Sequence, residues 1–127
     1  YLAPELGHQE WVDDGVWLDV GGRGHSVHVV GDDCNIALDE QRRPVLVYQD
    51  STMQALLMRR RDRAGTDEQT TWGRRVALRG DTDRFMGSFG FYTSALVDGD
   101  QLYISHFVYR NHVEPPTSGI EVLVLDL

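Results

Sequence analysis

Alternation of apolar and polar residues around short turn signals constrains this chain more than any other feature. Tyr92–Val97 and the alternating run Gln101–Tyr109 flank Asp98-Gly99-Asp100. Glycine tolerates positive φ, so this tripeptide predicts a tight hairpin between two strands. The same grammar occurs earlier. Asn35–Asp39 runs into the polar link Glu40-Gln41-Arg42-Arg43 and on to Pro44–Tyr48. Proline has no amide hydrogen to donate, which suits Pro44 to the first position of a strand. Further strands are expected at Ala55–Arg59, Trp72–Leu78 and Ile120–Leu125, with turns or loops at Gln49–Thr52, Asp62–Thr70 and Glu114–Gly119. Thr52–Arg61 has enough helix formers for about two turns, but a third meander strand is the sharper reading. The expected fold class is therefore all-β, with antiparallel four-stranded meanders.

Two stretches repeat this plan. Ala37-Leu38 corresponds to Ala95-Leu96, and Val45-Leu46-Val47-Tyr48 corresponds to Leu102-Tyr103-Ile104-Ser105. Trp11 followed by Val16 corresponds to Trp72 followed by Val76. Each unit is a little longer than the ~40–50 residues usual for a propeller blade. A sandwich of two unrelated hairpin sets is the alternative.

The order Asn35–Asp39, Arg43–Ser51, Leu56-Leu57 and Trp72 resembles repeats of bacterial β-propellers of the sialidase-like kind. In such repeats a strand ending in Leu-Asp turns into a Pro-led strand ending in Tyr-x-Asp. The resemblance implies about two blades: residues 1–20 as the outer strand of a blade, 24–80 as a full blade and 85–127 as a partial one. The Ser-x-Asp-x-Gly-x-Thr-Trp turn of Asp-box repeats is absent from the sequence, which argues against sialidase activity. Propellers need typically 4–8 blades. Two blades thus call for partners, either a companion segment of one precursor or identical subunits, three of which would give six blades. A self-contained small sandwich or barrel is the other option.

Composition narrows the function. Twenty acidic residues against twelve basic ones give a net charge of −8, contrary to the basic footprint of general nucleic-acid binding. All twelve basic residues are arginine. No apolar run approaches the ~20 residues needed to span a bilayer, so no membrane span is expected. The chain begins at Tyr1 without an apolar signal segment. It reads as a processed product, a truncated form or an excerpt of a longer polypeptide, and the expected setting is extracellular or at the cell surface.

Catalytic motifs are lacking, and neither a metal nor a cofactor is expected. His25 and His28 stand at i, i+3, which in a strand places them on opposite faces. The acidic clusters Asp13-Asp14, Asp32-Asp33 and Asp98-Gly99-Asp100 fit no EF-hand spacing and are expected in turns. Arg59-Arg60-Arg61 reads as a solvated strand end. Gly87-Ser88-Phe89-Gly90 is one residue out of a nucleophile elbow, and Cys34 reads as a small buried residue. Arg84–Tyr92 concentrates aromatic side chains beside glycines, a composition suited to stacking on a sugar or peptide or to a strand entering the core. The candidate ligand-binding residues lie in loops at one end of the strands: Asp50, Ser51, Thr52, Phe89, Phe91, Tyr109 and His112. The expected activity is that of a structural or ligand-binding module, with carbohydrate or protein as ligand. The alternatives are a non-catalytic part of a propeller hydrolase and an oligomeric two-blade lectin.

Overall fold

A computed structural model describes residues 18–19, 25–26, 29–61, 72–73, 75–80, 87–110 and 113–127. They form nine strands, β1 (Leu18–Asp19), β2 (His25–Ser26), β3 (Val30–Leu38), β4 (Pro44–Asp50), β5 (Ala55–Arg60), β6 (Val76–Arg79), β7 (Ser88–Asp98), β8 (Gln101–Arg110) and β9 (Thr117–Asp126). β3-β4-β5-β6 is a four-stranded antiparallel meander, and β7-β8-β9 is a three-stranded one. The chain is all-β, as the alternation predicts, and Thr52–Arg61 contributes a strand rather than a helix. Among the described residues, β1 pairs only with β2. The rest of Trp11–Val20 lies outside the described residues, as does the Asp62–Thr70 loop.

Several boundaries differ from expectation for local reasons. Asp32, Asp33 and Cys34 belong to β3, not to a turn, and Cys34 is an exposed free thiol rather than a buried residue. The strand passes through two register shifts against β4, with Asp33 at φ 47°. Aspartate tolerates that left-handed conformation better than most residues, so a bulge absorbs the polar stretch without ending the strand. Trp72 forms an isolated bridge to Arg61 outside the named strands, and the fourth strand begins at Val76. β9 begins at Thr117, inside the expected loop.

The two hairpins that open the sheets share a plan but not a register. Leu38 faces Pro44 across a five-residue link, whereas Asp98 faces Gln101 across Gly99-Asp100 alone. As a result Ala37 pairs with Val45, while its counterpart Ala95 pairs with Ile104 rather than Leu102. The slip is two residues, so side chains keep their faces.

The inner faces meet in one core. Val45, Val47 and Leu56 of the first sheet pack with Phe89, Leu102, Ile104, Val108 and Leu123 of the second. β4 is covered on both sides, because Tyr48 on its other face is buried with Ala55 and Leu57. β7 lies across β3, β4 and β5. Its edge is fastened to β3 by side chains: Asn35 Oδ1 accepts from Ala95 N–H at 3.2 Å and Asp33 Oδ2 accepts from Tyr92 N–H at 3.0 Å. At its start, Phe89 N–H donates to Gln54 O at 3.1 Å, and Gln49 Nε2 donates to Phe89 O at 2.8 Å inside the core. These bonds satisfy backbone groups that burial would otherwise leave unpaired.

Candidate functional site

The β4–β5 turn, the start of β7 and the end of β8 come together at one end of the strands. Their side chains have different tasks there. Asp50 is buried, and its Oδ1 accepts from Met53 N–H at 2.8 Å across the turn. Ser51 Oγ donates to Asp32 Oδ2 at 2.5 Å, and Thr52 Oγ1 accepts from Val29 N–H at 2.8 Å. Both contacts tie the turn to the beginning of β3. Phe89 is a core residue, 7% exposed. His112 lies outside the described residues.

Phe91 and Tyr109 are brought together at the surface. With Ser88, Tyr92 and Phe107 they line a shallow cleft of about 280 Å³ on the outer face of the three-stranded sheet. Simple i, i+2 alternation would send Phe89 and Phe91 to the same side. Register shifts between Ser88 and Phe91 and between Phe91 and Ser94, with Gly90 at φ 85° and Tyr92 at φ 52°, break that parity. Phe89 therefore enters the core while Phe91 lines the cleft. Sequence reasoning did not single out Phe107; the signal for it was the odd-numbered series Tyr103, Phe107 and Tyr109, apolar opposite an equally apolar even-numbered series.

The cleft is one part of a larger apolar face, ordered by register into rows of three. Phe91, Phe107 and Ile120 form one row. Ser94, Ser105 and Val122 form the next, followed by Leu96, Tyr103 and Val124. Tyr92 is 80% exposed and Ile120 78%, with Leu96, Val122 and Val124 each more than half exposed. The end rows are polar: Ser88, Tyr109 and Ser118 at one end, and Asp98, Gln101 and Asp126 at the other. Exposed contiguous apolar patches on a protein surface mark contact surfaces.

Between the sheets lies a buried histidine. His106 on β8 pairs directly with Glu121 on β9. Its ring is closed to solvent, with Nε2 3.0 Å from Glu121 Oε2 and Nδ1 accepting from Gly90 N–H at 3.3 Å. Nδ1 also lies 3.4 Å from the Phe107 carbonyl oxygen. Because the Gly90 N–H can only donate and Glu121 can only accept, the pair of shorter contacts favours the tautomer with the proton on Nε2. Burial pushes the imidazole pKa below its ordinary value, against the opposing pull of Glu121. Glu121 is also held from the other sheet by Arg79, with Nε at 2.9 Å and Nη2 at 3.3 Å. Burial would raise the carboxyl pKa, but Arg79 and then His106 outweigh it and bring it below the usual range. A second cavity of about 270 Å³ adjoins this carboxylate beside Val108, Arg110 and Thr117. With its base sealed from water and its acid neutralised by arginine, the trio fastens β6 to β8 and β9.

Among the described residues, no group of three or more His, Cys, Asp or Glu side chains is placed to hold a metal ion, and no helix is long and apolar enough to cross a membrane. No family model, no curated protein and no solved structure matches the chain.

Proposed function

We propose that this chain is a structural module of propeller-like blades that works by association, adding its sheets to further blades or subunits. The observation that carries the reading is the outer face of the three-stranded sheet, where two apolar rows flank the row of Ser94, Ser105 and Val122 and where Tyr92, Leu96, Ile120, Val122 and Val124 are exposed. A blade has neighbours on both faces, so its strands carry apolar residues on both sides. β8 has this character, with Leu102, Ile104 and Val108 inward and Tyr103, Phe107 and Tyr109 outward. The side-by-side placement of β3 and β7, the leading strands of their sheets, also supports the reading. So does the three-stranded count of the second sheet, where β9 has a partner on one side only among the described residues.

Native mass spectrometry with light scattering tests it. The expected result is an assembly heavier than the 14.4 kDa chain, dissociated by Ile120→Asp or Val122→Asp with β structure retained. A monomer at tens of micromolar whose apolar face stays in water would remove the proposal.

The aromatic cleft favours a second reading, a lectin that stacks a sugar ring on Tyr92 and Tyr109. Glycan binding lost on Tyr92→Ala, at unchanged native mass, would select it.

A further inference from the structure

We infer that the partner of the outer face of the three-stranded sheet is a second copy of this chain, bound about a twofold axis that crosses the strands at Ser105. The inference rests on the association in the reading above, not on its blade arrangement: a twofold contact pairs like faces and joins two chains rather than extending a ring of blades.

Row order is the first argument. Along β8 the outer face presents Gln101, Tyr103, Ser105, Phe107 and Tyr109, so Ser105 is the midpoint. The rows on either side of it are the two bulky ones, and the central row holds the small side chains Ser94 and Ser105. An isologous contact requires a surface complementary to itself. Rotation about an axis through Ser105, lying between the two sheets and perpendicular to the strands, sets β8 over β8 in opposite directions. Each copy's Tyr103 row then meets the other's Phe107 row. Tyr103, 38% exposed, arrives over the cleft of about 280 Å³ formed by Phe91, Tyr92, Phe107 and Tyr109. A tyrosine seated in an aromatic cleft is a characteristic anchor of protein interfaces.

Charge selects this axis over the other twofold. All the formal charge in the five rows belongs to Asp98 and Asp126, in the same end row. An axis parallel to the strands would stack that row on itself, setting carboxylates of Asp98 against those of Asp126. Such like-charge juxtaposition is costly at an interface. The crossing axis instead lays Asp98, Gln101 and Asp126 over Ser88, Tyr109 and Ser118, whose three hydroxyls can donate to them. Glu114 and Arg110 border the hydroxyl end, outside the five rows.

Extent is the third argument. Three strands about 4.8 Å apart and five rows about 6.8 Å apart cover roughly 450 Å² in plan. Projecting side chains carry the accessible area beyond that, toward the ~800 Å² per partner of a stable interface.

Cross-linking in a Cys34→Ser background provides the test, read beside native mass on the full chain. Facing sheets stand about 10 Å apart, so a bis-maleimide of that reach should join two Ser105→Cys copies. Gln101→Cys should fail, because its two copies lie about 27 Å apart along the strands. Tyr103→Ala should weaken dimerisation at least tenfold at unchanged thermal stability. Linkage through Gln101→Cys, or full dimerisation of Tyr103→Ala, overturns the crossing axis. An assembly that Ser105→Cys does not link overturns the twofold pairing and leaves the association reading standing. A monomer without cross-links overturns both.

Discussion

His106 Nε2 and Glu121 Oε2 lie 3.0 Å apart across the β8–β9 ladder, and Arg79 of the opposite sheet holds the same carboxylate oxygen at 2.9 Å. This relationship joins the two sheets and makes their union sensitive to acid. The folded pKa of His106 lies below its ordinary 6.5, chiefly through burial, and that of Glu121 below its ordinary 4.5 through Arg79 and His106 against burial. For each group the unfolded chain binds a proton more readily than the folded one. Stability is thus fully present above the unfolded value and is lost as pH falls through the folded value. Urea midpoints measured from pH 7.5 downward should fall first below pH 6.5 and again below 4.5. His106→Gln should flatten the first step. A midpoint constant down to pH 4 contradicts the assignment.

A second buried charge secures the first hairpin. Asp39 has a carboxylate that is 2% exposed and accepts from Arg43 N–H at 2.7 Å, Arg43 Nε at 2.7 Å and Arg60 Nη2 at 2.7 Å. Asp39→Ala removes the carboxylate both arginines share, leaving Arg43 its bond to Gln41 Oε1 at 2.9 Å and two largely buried guanidiniums without their common counter-charge. The expected loss is about 2–4 kcal/mol, read by chemical denaturation. A loss under about 0.5 kcal/mol, the range of ordinary surface substitutions, would show that the pairs are solvent-screened and contribute little.

Gly87 marks where β7 enters beside β8. Its φ is 139°, and a Cβ built on it would lie 2.5 Å from the Tyr109 carbonyl oxygen. Backbone cannot yield as a flexible side chain does, so Gly87→Ala combines conformational strain with overpacking, at an expected cost of about 2–4 kcal/mol. Circular dichroism melts should place this variant well below wild type. Gly119→Ala, at a glycine with nothing within 4 Å of its Cβ position, should leave the melting temperature nearly unchanged.

Strands were legible where an apolar run stood between clear turn signals: β4, β5 and β8 were readable almost residue for residue. Legibility failed at bulges. Polar turn-formers at Asp32 and Asp33 hide a strand, because β3 admits an extra residue and a left-handed φ without breaking its ladder. The same device separates Phe89 from Phe91, which sequence spacing would put on one face. Cross-strand partners were hidden for another reason. His106 and Glu121 are fifteen residues apart, and only the length of the β8–β9 connection sets them opposite. Asp50, Ser51 and Thr52 were read as ligand-binding, but turn residues with oxygen side chains serve their own backbone as readily as a ligand, and here their observed bonds fasten the turn.

Core and outer face should answer differently to the same truncation. Leu102 is wholly buried and packs against Val45, Val47 and Leu56, while Val122, two strands' breadth from β7, is 61% exposed. Leu102→Ala leaves a cavity between the sheets and should cost about 2–5 kcal/mol. Val122→Ala removes side chain that water already reaches, so its effect on unimolecular stability should stay within about 0.5 kcal/mol. Association is where Val122 should register, because its row lies at the centre of the apolar face and contact energy concentrates near the centre of an interface. Denaturation at low concentration gives the first quantity, and dilution followed by light scattering gives the second. If Val122→Ala weakens folding as much as Leu102→Ala while leaving native mass unchanged, the outer face is packed within the chain and is not a surface for association.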